Sequence, residues 1–221
     1  MRSAPGGASA RRPAGRPSPE GRAVPRRRRR EPFWRWYRVV PALALGVTLL
    51  VCGALAALPS QLGRALFYPV HHAETIESAA ERHGLDPNLV CAVIKCESGW
   101  DEEALSPVGA VGLMQVMPST AQSLADMGLV DASSYDPASL SDPRVNIEYG
   151  CTYLSYLQRN LSSIDEIVAA YNAGLGAVQG WLSDGGSIPE GIEYEETRTY
   201  LGRVRDALEG YEKSYPAGIT E

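Results

Sequence analysis

Glu97 is the side chain in this sequence with the greatest capacity for chemistry. It closes the series Val90, Val93, Glu97, spaced three and four apart, so on a helix these residues share one face. A carboxyl in register with an apolar stripe is costly to leave charged and unpaired. Burial raises its pKa and keeps a proton on it near neutral pH, the state a general acid needs. Position alone also fits a Glu that turns out to solvent at a helix end. The residues C-terminal to it narrow that choice.

Eight further residues carry side chains able to serve such a carboxyl or its ligand, each with a plainer alternative. Ser98 is adjacent, although a helix end also uses a Ser. Ser106, Met114 and Gln115 lie in a Gly-rich, non-periodic stretch running from Ser106 to Met117. Ser106 also fits a Ser-Pro turn, and Met114 fits either the wall of a cleft or a core. Gln115 can bond sugar hydroxyls or amides through both ends of its amide. Tyr171 combines an apolar ring with a polar hydroxyl. Asn172 comes next, where a helix end before Gly174 is the plain alternative. Glu196 and Tyr200 are four apart and so share a face; Glu196 also suits the first turn of a helix as an acid. Gly109 and Gly112 would let backbone approach a ligand closely.

These residues need elements to hold them, and the punctuation of the sequence supplies helices. One is predicted from about Ala73 to His83, stopped by Gly84. The next opens at Asp86-Pro87, an N-cap with proline in the first turn. Pro118 opens a short helix stopped by Gly128, and Asp142-Pro143 opens a long one. Ser163 with Glu166 is a capping box whose helix ends near Asn172 to Gly174. A last helix runs from about Glu196 to Lys213, closed by Pro216. The fold expected is mainly α: a helical bundle-like domain with a small irregular or β insertion over 106–117.

Ahead of this domain lies a different kind of sequence. Residues 1–38 hold twelve Arg and two Glu, a net of +10, whereas residues 39–221 hold nine Lys or Arg and twenty-four acids, a net of −15. That split argues for two compartments and against a nucleic-acid binder. Residues 39–58 carry no charge, and twenty helical residues span about 30 Å, the thickness of a bilayer core. Trp34, Trp36 and Tyr37 sit at one border, as interfacial aromatics do, and the Arg cluster before them predicts a cytoplasmic N-terminus. The organisation expected is a basic disordered tail over 1–38, a transmembrane signal-anchor over 39–58, a linker over 59–71, a catalytic domain over 72–214 and a tail over 215–221. Cleavage of the apolar segment as a signal peptide is the alternative.

Of four cysteines, Cys52 falls in the apolar segment. Cys91, Cys96 and Cys151 fall in the acidic part, an odd number that leaves at least one thiol free. Cys151 paired with Cys91 or Cys96, or three buried thiols, both remain open. No spacing reads as a zinc site, and no cofactor is expected.

Four segments taken together carry a family resemblance: Glu97-Ser98-Gly99-Trp100, Ser106 to Gln115, Ala170 to Gly174, and Tyr194 to Tyr200. In this order and spacing they closely resemble the lytic transglycosylases of the soluble-lytic-transglycosylase type, relatives of goose-type lysozyme. The resemblance covers roughly residues 74–213. It implies a lysozyme-like α+β fold and cleavage of the peptidoglycan glycan strand between N-acetylmuramic acid and N-acetylglucosamine, leaving a 1,6-anhydro end. It also implies Glu97 as acid and base, with Ser98, Ser106, Met114, Gln115, Tyr171, Asn172, Glu196 and Tyr200 toward substrate. Cys96 departs from the family's usual larger or polar residue beside the Glu. The partners expected are peptidoglycan strands and, through residues 39–58, the bacterial plasma membrane, with the catalytic domain outside it.

Overall fold

The computed structural model describes residues 36–56, 60–183 and 185–220. Of the disordered tail expected over 1–38, residues 1–35 lie outside the described residues and the last three begin α1; residues 57–59 also lie outside them. The chain forms two compact units, residues 1–56 and 57–221. In the first, α1 spans Trp36–Ala56 with Pro41 inside it. Its apolar side chains are exposed, among them Leu43, Val47 and Leu50. This helix covers most of the segment expected to cross a membrane. Among the described residues, however, no helix is long and apolar enough to do so.

The second unit opens with α2 (Ser60–Phe67), where a plain connector was expected. The expected helices come next as α3 (Ala73–His83), α4 (Pro87–Glu97), α5 (Pro118–Asp126), α6 (Pro143–Asn160) and α7 (Ile164–Ala173). Then come α8 (Leu175–Ser183), which local sequence signals do not predict, and α9 (Glu195–Ser214). The helix starts obey their local chemistry. Asp86 and Asp142 each accept a bond at 2.8 Å from the backbone N–H two residues on, with Pro at the first helical position. At α7 the box closes both ways: Glu166 N–H donates to Ser163 Oγ, and Ser162 N–H donates to the Glu166 carboxylate.

Residues 106–117 are an irregular loop with two isolated antiparallel bridges, Leu105 to Val111 and Val111 to Val116. The β option expected there shrinks to these bridges, and no strand forms among the described residues. The loop is too short and too rich in Gly to build a ladder, so a side chain takes over its backbone bonding. Asn146 of α6 is fully buried and donates through Nδ2 to the carbonyls of Val111 and Leu140, at 2.7 and 2.9 Å. Its Oδ1 accepts from Met114 N–H at 2.8 Å. Close approach is possible because residue 112 is Gly: a Cβ there would stand 2.6 Å from Asn146 Nδ2, at a φ of +73°. One buried amide therefore sets the position of the loop bearing Gln115.

The core lies between α4, α6, α7 and α9, with Val90, Val93, Ile94, Leu154, Val168, Leu201 and Val204 among its buried side chains. Cys91 and Cys151 are buried free thiols and Cys96 is a partly exposed one, so the disulfide alternative is not formed. Burial drives the Cys91 thiol up to about 12, far from the reactive thiolate range. A buried ionic cluster ties α3 to α6. Glu148, 7% exposed, accepts from Arg82 at 2.6 Å and meets His83 Nε2 at 2.9 Å.

The segment before α3 is bound to α4 and α9. Tyr211 Oη donates to Pro69 O at 2.8 Å and accepts from Trp100 Nε1 at 3.0 Å, and Tyr215 Oη donates to Tyr68 O at 2.9 Å. Lys95 donates to the Phe67 carbonyl, with its ammonium 4.3 Å from the Tyr68 ring centroid.

Replacing Asn146 by Ala leaves two carbonyls and one N–H without their partner. At roughly 1–3 kcal/mol for each buried group left unsatisfied, Asn146→Ala should lower unfolding free energy by about 3 kcal/mol in urea titration. An unchanged midpoint would mean the loop is held by something else.

Candidate active site

Glu97 is the last residue of α4 and is partly buried. Its carboxyl is held above the ordinary Glu value, chiefly because burial penalises the charged form; Tyr200 and Arg203 pull in the opposite direction. The C-terminal end of α4 adds its negative dipole end to the same side of the balance as burial. Two phenols flank the carboxyl. Tyr200, from α9, is 2% exposed, and its hydroxyl lacks a hydrogen bond of ordinary geometry among the described residues. It still stands near enough to Glu97 to favour the ionised carboxylate, a long or poorly aligned contact rather than a closed bond. Tyr171, from α7, lies close enough to Glu97 to feel its charge and is likewise pushed well up, chiefly by burial. Its hydroxyl donates to Met114 O at 2.8 Å, so it also fastens the Gly-rich loop.

Beside Tyr171 opens a cavity of about 280 Å3 lined by Gln115, Met117, Thr120, Tyr153, Asn172 and Gly174, among others. Gln115 adopts a φ of +48°. Its Nε2 donates to Ala104 O at 3.1 Å and to Gly112 O at 2.9 Å, so the amide nitrogen shapes the loop and the carbonyl end is left for a ligand. Asn172 is exposed; its Oδ1 accepts from Thr197 Oγ1 at 2.6 Å, which leaves its NH2 group as donor and joins α7 to α9.

The remaining sequence candidates sit differently. Ser98 is the C-cap of α4. Its Oγ donates to Ile94 O at 3.2 Å and accepts from Trp100 N–H at 3.1 Å, the helix-end role. Ser106 Oγ accepts from Ala110 N–H at 2.9 Å within its turn, and its own O–H remains available. Glu196 is exposed in the first turn of α9. Met114 is fully buried against Gly150, where an added Cβ would lie 2.2 Å from its sulfur. The cavity takes Met117 in its place, together with Thr120 and Tyr153, none of which sequence reasoning singles out. A signal for Met117 is present: it precedes Pro118, so it leaves the loop extended and cannot join α5. Tyr153 and Tyr171 meet at 5.4 Å between ring centroids, a pairing across two helices with no local trace in sequence.

No group of three or more His, Cys, Asp or Glu among the described residues could hold a metal ion. What the residues do assemble is one carboxyl pushed above its ordinary value by burial, close to Tyr171, a phenol that also lines a polar, aromatic-walled cleft. That combination suits general acid–base chemistry on a neutral polyhydroxylated ligand.

Comparison with known proteins gives the family. The Transglycosylase SLT domain profile matches residues 74–190, more than half of the chain, and the chain belongs to that family. It is 34% identical over 145 residues to the soluble lytic murein transglycosylase of Escherichia coli (strain K12), covering 62% of this chain and 22% of that protein. It is 36% identical over 113 residues to the membrane-bound lytic murein transglycosylase C of Haemophilus influenzae (strain PittEE), covering 47% of this chain and 31% of the relative. Among solved structures, an inactive variant of the lytic transglycosylase Slt from Pseudomonas aeruginosa superposes with a TM-score of 0.61 at 34% identity, over 70% of this chain and 26% of that one. A 70-kDa soluble lytic transglycosylase in complex with bulgecin A matches with a TM-score of 0.61 at 33% identity, over 67% of this chain and 25% of that one. The chain thus spans about a quarter of the length of these larger soluble relatives.

A carboxyl whose folded pKa lies above its unfolded value costs stability once pH rises past the unfolded value, and the cost grows until pH passes the folded one. Glu97→Gln removes that cost. The variant should therefore melt roughly 2 °C higher than the parent at pH 8 and equally at pH 4. Differential scanning calorimetry at the two pH values checks this, and a lower Tm at pH 8 would contradict it.

Proposed function

We propose that this protein is a membrane-anchored peptidoglycan lytic transglycosylase with Glu97 as its single acid and base. The observation that carries the reading is the half-buried Glu97, its carboxyl pushed up by burial, close to Tyr200 and to the cleft-lining Tyr171, in a chain of the SLT family. In the first half of the reaction, the Glu97 carboxyl gives its proton to the glycosidic oxygen as the bond from C1 of the muramic acid breaks. The departing N-acetylglucosamine leaves with a 4-hydroxyl. In the second half, the C6 hydroxyl of the same sugar attacks C1 and passes its proton to the Glu97 carboxylate, closing the 1,6-anhydro ring and restoring the acid. A nucleophile carried on the reacting sugar has a high effective concentration, so no second carboxylate is required. The substrate's 2-acetamido group can support the positive charge that develops at C1.

Residue placement supports this over hydrolysis. A hydrolytic muramidase needs a second carboxylate to activate water. The nearest in sequence, Asp101, Glu102 and Glu103, are exposed, and Glu102 is engaged by His72 Nε2 at 2.6 Å. Gln115, Met117, Tyr171 and Asn172 would bind the glycan, with Ser106 offering its hydroxyl to an acetamido group. Glu196 and Ser98 would act at the margins.

The anchor reading rests on α1 and the sequence around it. Residues 39–58 are uncharged, exposed Leu and Val side chains line the helix, and Arg residues precede it. A single pass with the N-terminus cytoplasmic would put the catalytic domain on the wall side. After alkaline carbonate extraction of cell membranes, the chain should remain in the pellet; release into the supernatant would refute the anchor.

The activity is tested by digesting peptidoglycan with the full chain and with Glu97→Gln, and weighing the fragments. Fragments ending in 1,6-anhydro-muramic acid, at least 1,000-fold scarcer with the variant (about the loss expected from removing an essential general acid), are the expected result. Reducing ends would make water the nucleophile and overturn the transglycosylase reading.

A further inference from the structure

Glu97 must do two opposed things: keep a proton until the leaving oxygen takes it, then exist as a carboxylate long enough to receive another. Burial serves the first demand and works against the second. A counterweight is needed, and its place in the fold is visible. A second cavity, about 310 Å3, opens between the C-terminal end of α4 and α9. Tyr68, Lys95, Cys96, Arg203, Asp206 and Ala207 line it. Arg203 is exposed on α9, one turn after Tyr200. Its guanidinium carbon lies 5.7 Å from the centroid of the Tyr200 ring, so the cation rests on the phenol that faces Glu97.

We infer that Arg203 is a positioning residue for the acid–base cycle of Glu97: laid across Tyr200 at the mouth of the α4–α9 cavity, it holds a positive charge toward the carboxyl and stabilises the carboxylate formed between the two half-reactions. The inference rests on the reading of Glu97 as the acid and base.

The charges around Glu97 single out Arg203. From α7 the carboxyl is faced by Tyr171, and from α9 by Tyr200 and Arg203. Asp206 lies further along α9, nearer to Cys96. Lys95 and Cys96 share α4 with Glu97. Lys95 is committed elsewhere, since its ammonium donates to the Phe67 carbonyl and lies over the Tyr68 ring. Cys96 is pushed toward its neutral thiol by burial. The two tyrosines are raised well above their ordinary value and stay neutral. Arg203 is the cation that acts on the carboxyl, and it favours the ionised form. Its charge cannot be titrated away, because guanidinium keeps its proton throughout the working range. The Tyr200 hydroxyl has no hydrogen-bond partner among the described residues in the resting site and stands close enough to Glu97 to favour its carboxylate as well.

Carbon-13 titration of Glu97 in the full chain in detergent micelles reads this directly, with the resonance identified by its loss in Glu97→Gln. Arg203→Gln should raise the Glu97 midpoint by about 0.5 pH unit, less than a close partner would because the cation is exposed. Arg203→Met keeps the stem over the Tyr200 ring without the charge and should do the same, covering the case in which Arg203→Gln folds poorly. Arg203→Lys should leave the midpoint within about 0.2 unit of the parent. The alkaline limb of the cleavage rate should move in the same direction in the two neutral variants. A midpoint that stays put or falls in both neutral variants overturns the inference, and so does an equal rise in Arg203→Lys. Because the titration needs no substrate, a parent chain that yields no anhydro-ended fragments would bring down the proposed function without deciding the role of Arg203.

Discussion

Holding one carboxyl at the end of a helix, mostly out of water, is the constraint on which the surrounding packing depends. A Glu buried without compensation would be destabilising, and one fully exposed would be ionised at neutral pH and useless as an acid. The fold meets both limits by ending α4 at Glu97 and laying α9 along it. Tyr200 then closes one flank and Tyr171 the other. Neither phenol neutralises the carboxyl by a closed hydrogen bond. The carboxyl is therefore pushed up by burial and drawn back by Tyr200 and, more weakly, by the Arg203 charge.

The same packing explains how a Gly-rich loop with almost no ladder of its own becomes a precise wall. Asn146 binds it through two hydrogen bonds, to Val111 O and Met114 N–H, while a third ties Asn146 to Leu140 O, and the Tyr171 hydroxyl binds Met114 O. Gln115 then folds its amide nitrogen back onto the carbonyls of Ala104 and Gly112. Each bond replaces one that a regular strand would have made, so the loop is both irregular and fixed. The aromatic seam of Trp100, Tyr211 and Pro69 does comparable work on the opposite side, binding the segment before α3 to the helices that carry Glu97 and Tyr200.

Much of the helical scaffold is legible in the sequence because its signals are local. Asp-Pro at residues 86 and 142, the Ser163–Glu166 box, and Gly84 as a stop each act within a few residues, and the helices begin and end where they point. α8 escapes such reading because Leu175 to Ser183 carries two Gly and no N-cap signal, so its helicity comes from packing Val178 and Trp181 into the core. The segment before α3 reads as a linker because nothing in it signals that Tyr68 and Pro69 will be bound by tyrosines some 140 positions later.

Residue type and order placed Glu97 at the end of a predicted helix as the leading candidate acid and marked the segments that accompany it, because helix phase and capping are properties of neighbouring residues. Tertiary structure decided which side chains reach the cleft. Met114 and Met117 are equally apolar and three residues apart, yet the first fills the space left by Gly150 and the second lines the cavity. Ser98 and Gln115 spend hydrogen bonds on backbone groups that sequence does not reveal as neighbours. The environment of Glu97, with burial raising its pKa while Tyr200 and Arg203 lower it, exists only when α4, α7 and α9 are brought together. Desolvation and charge proximity act through space, and no spacing along the chain encodes them.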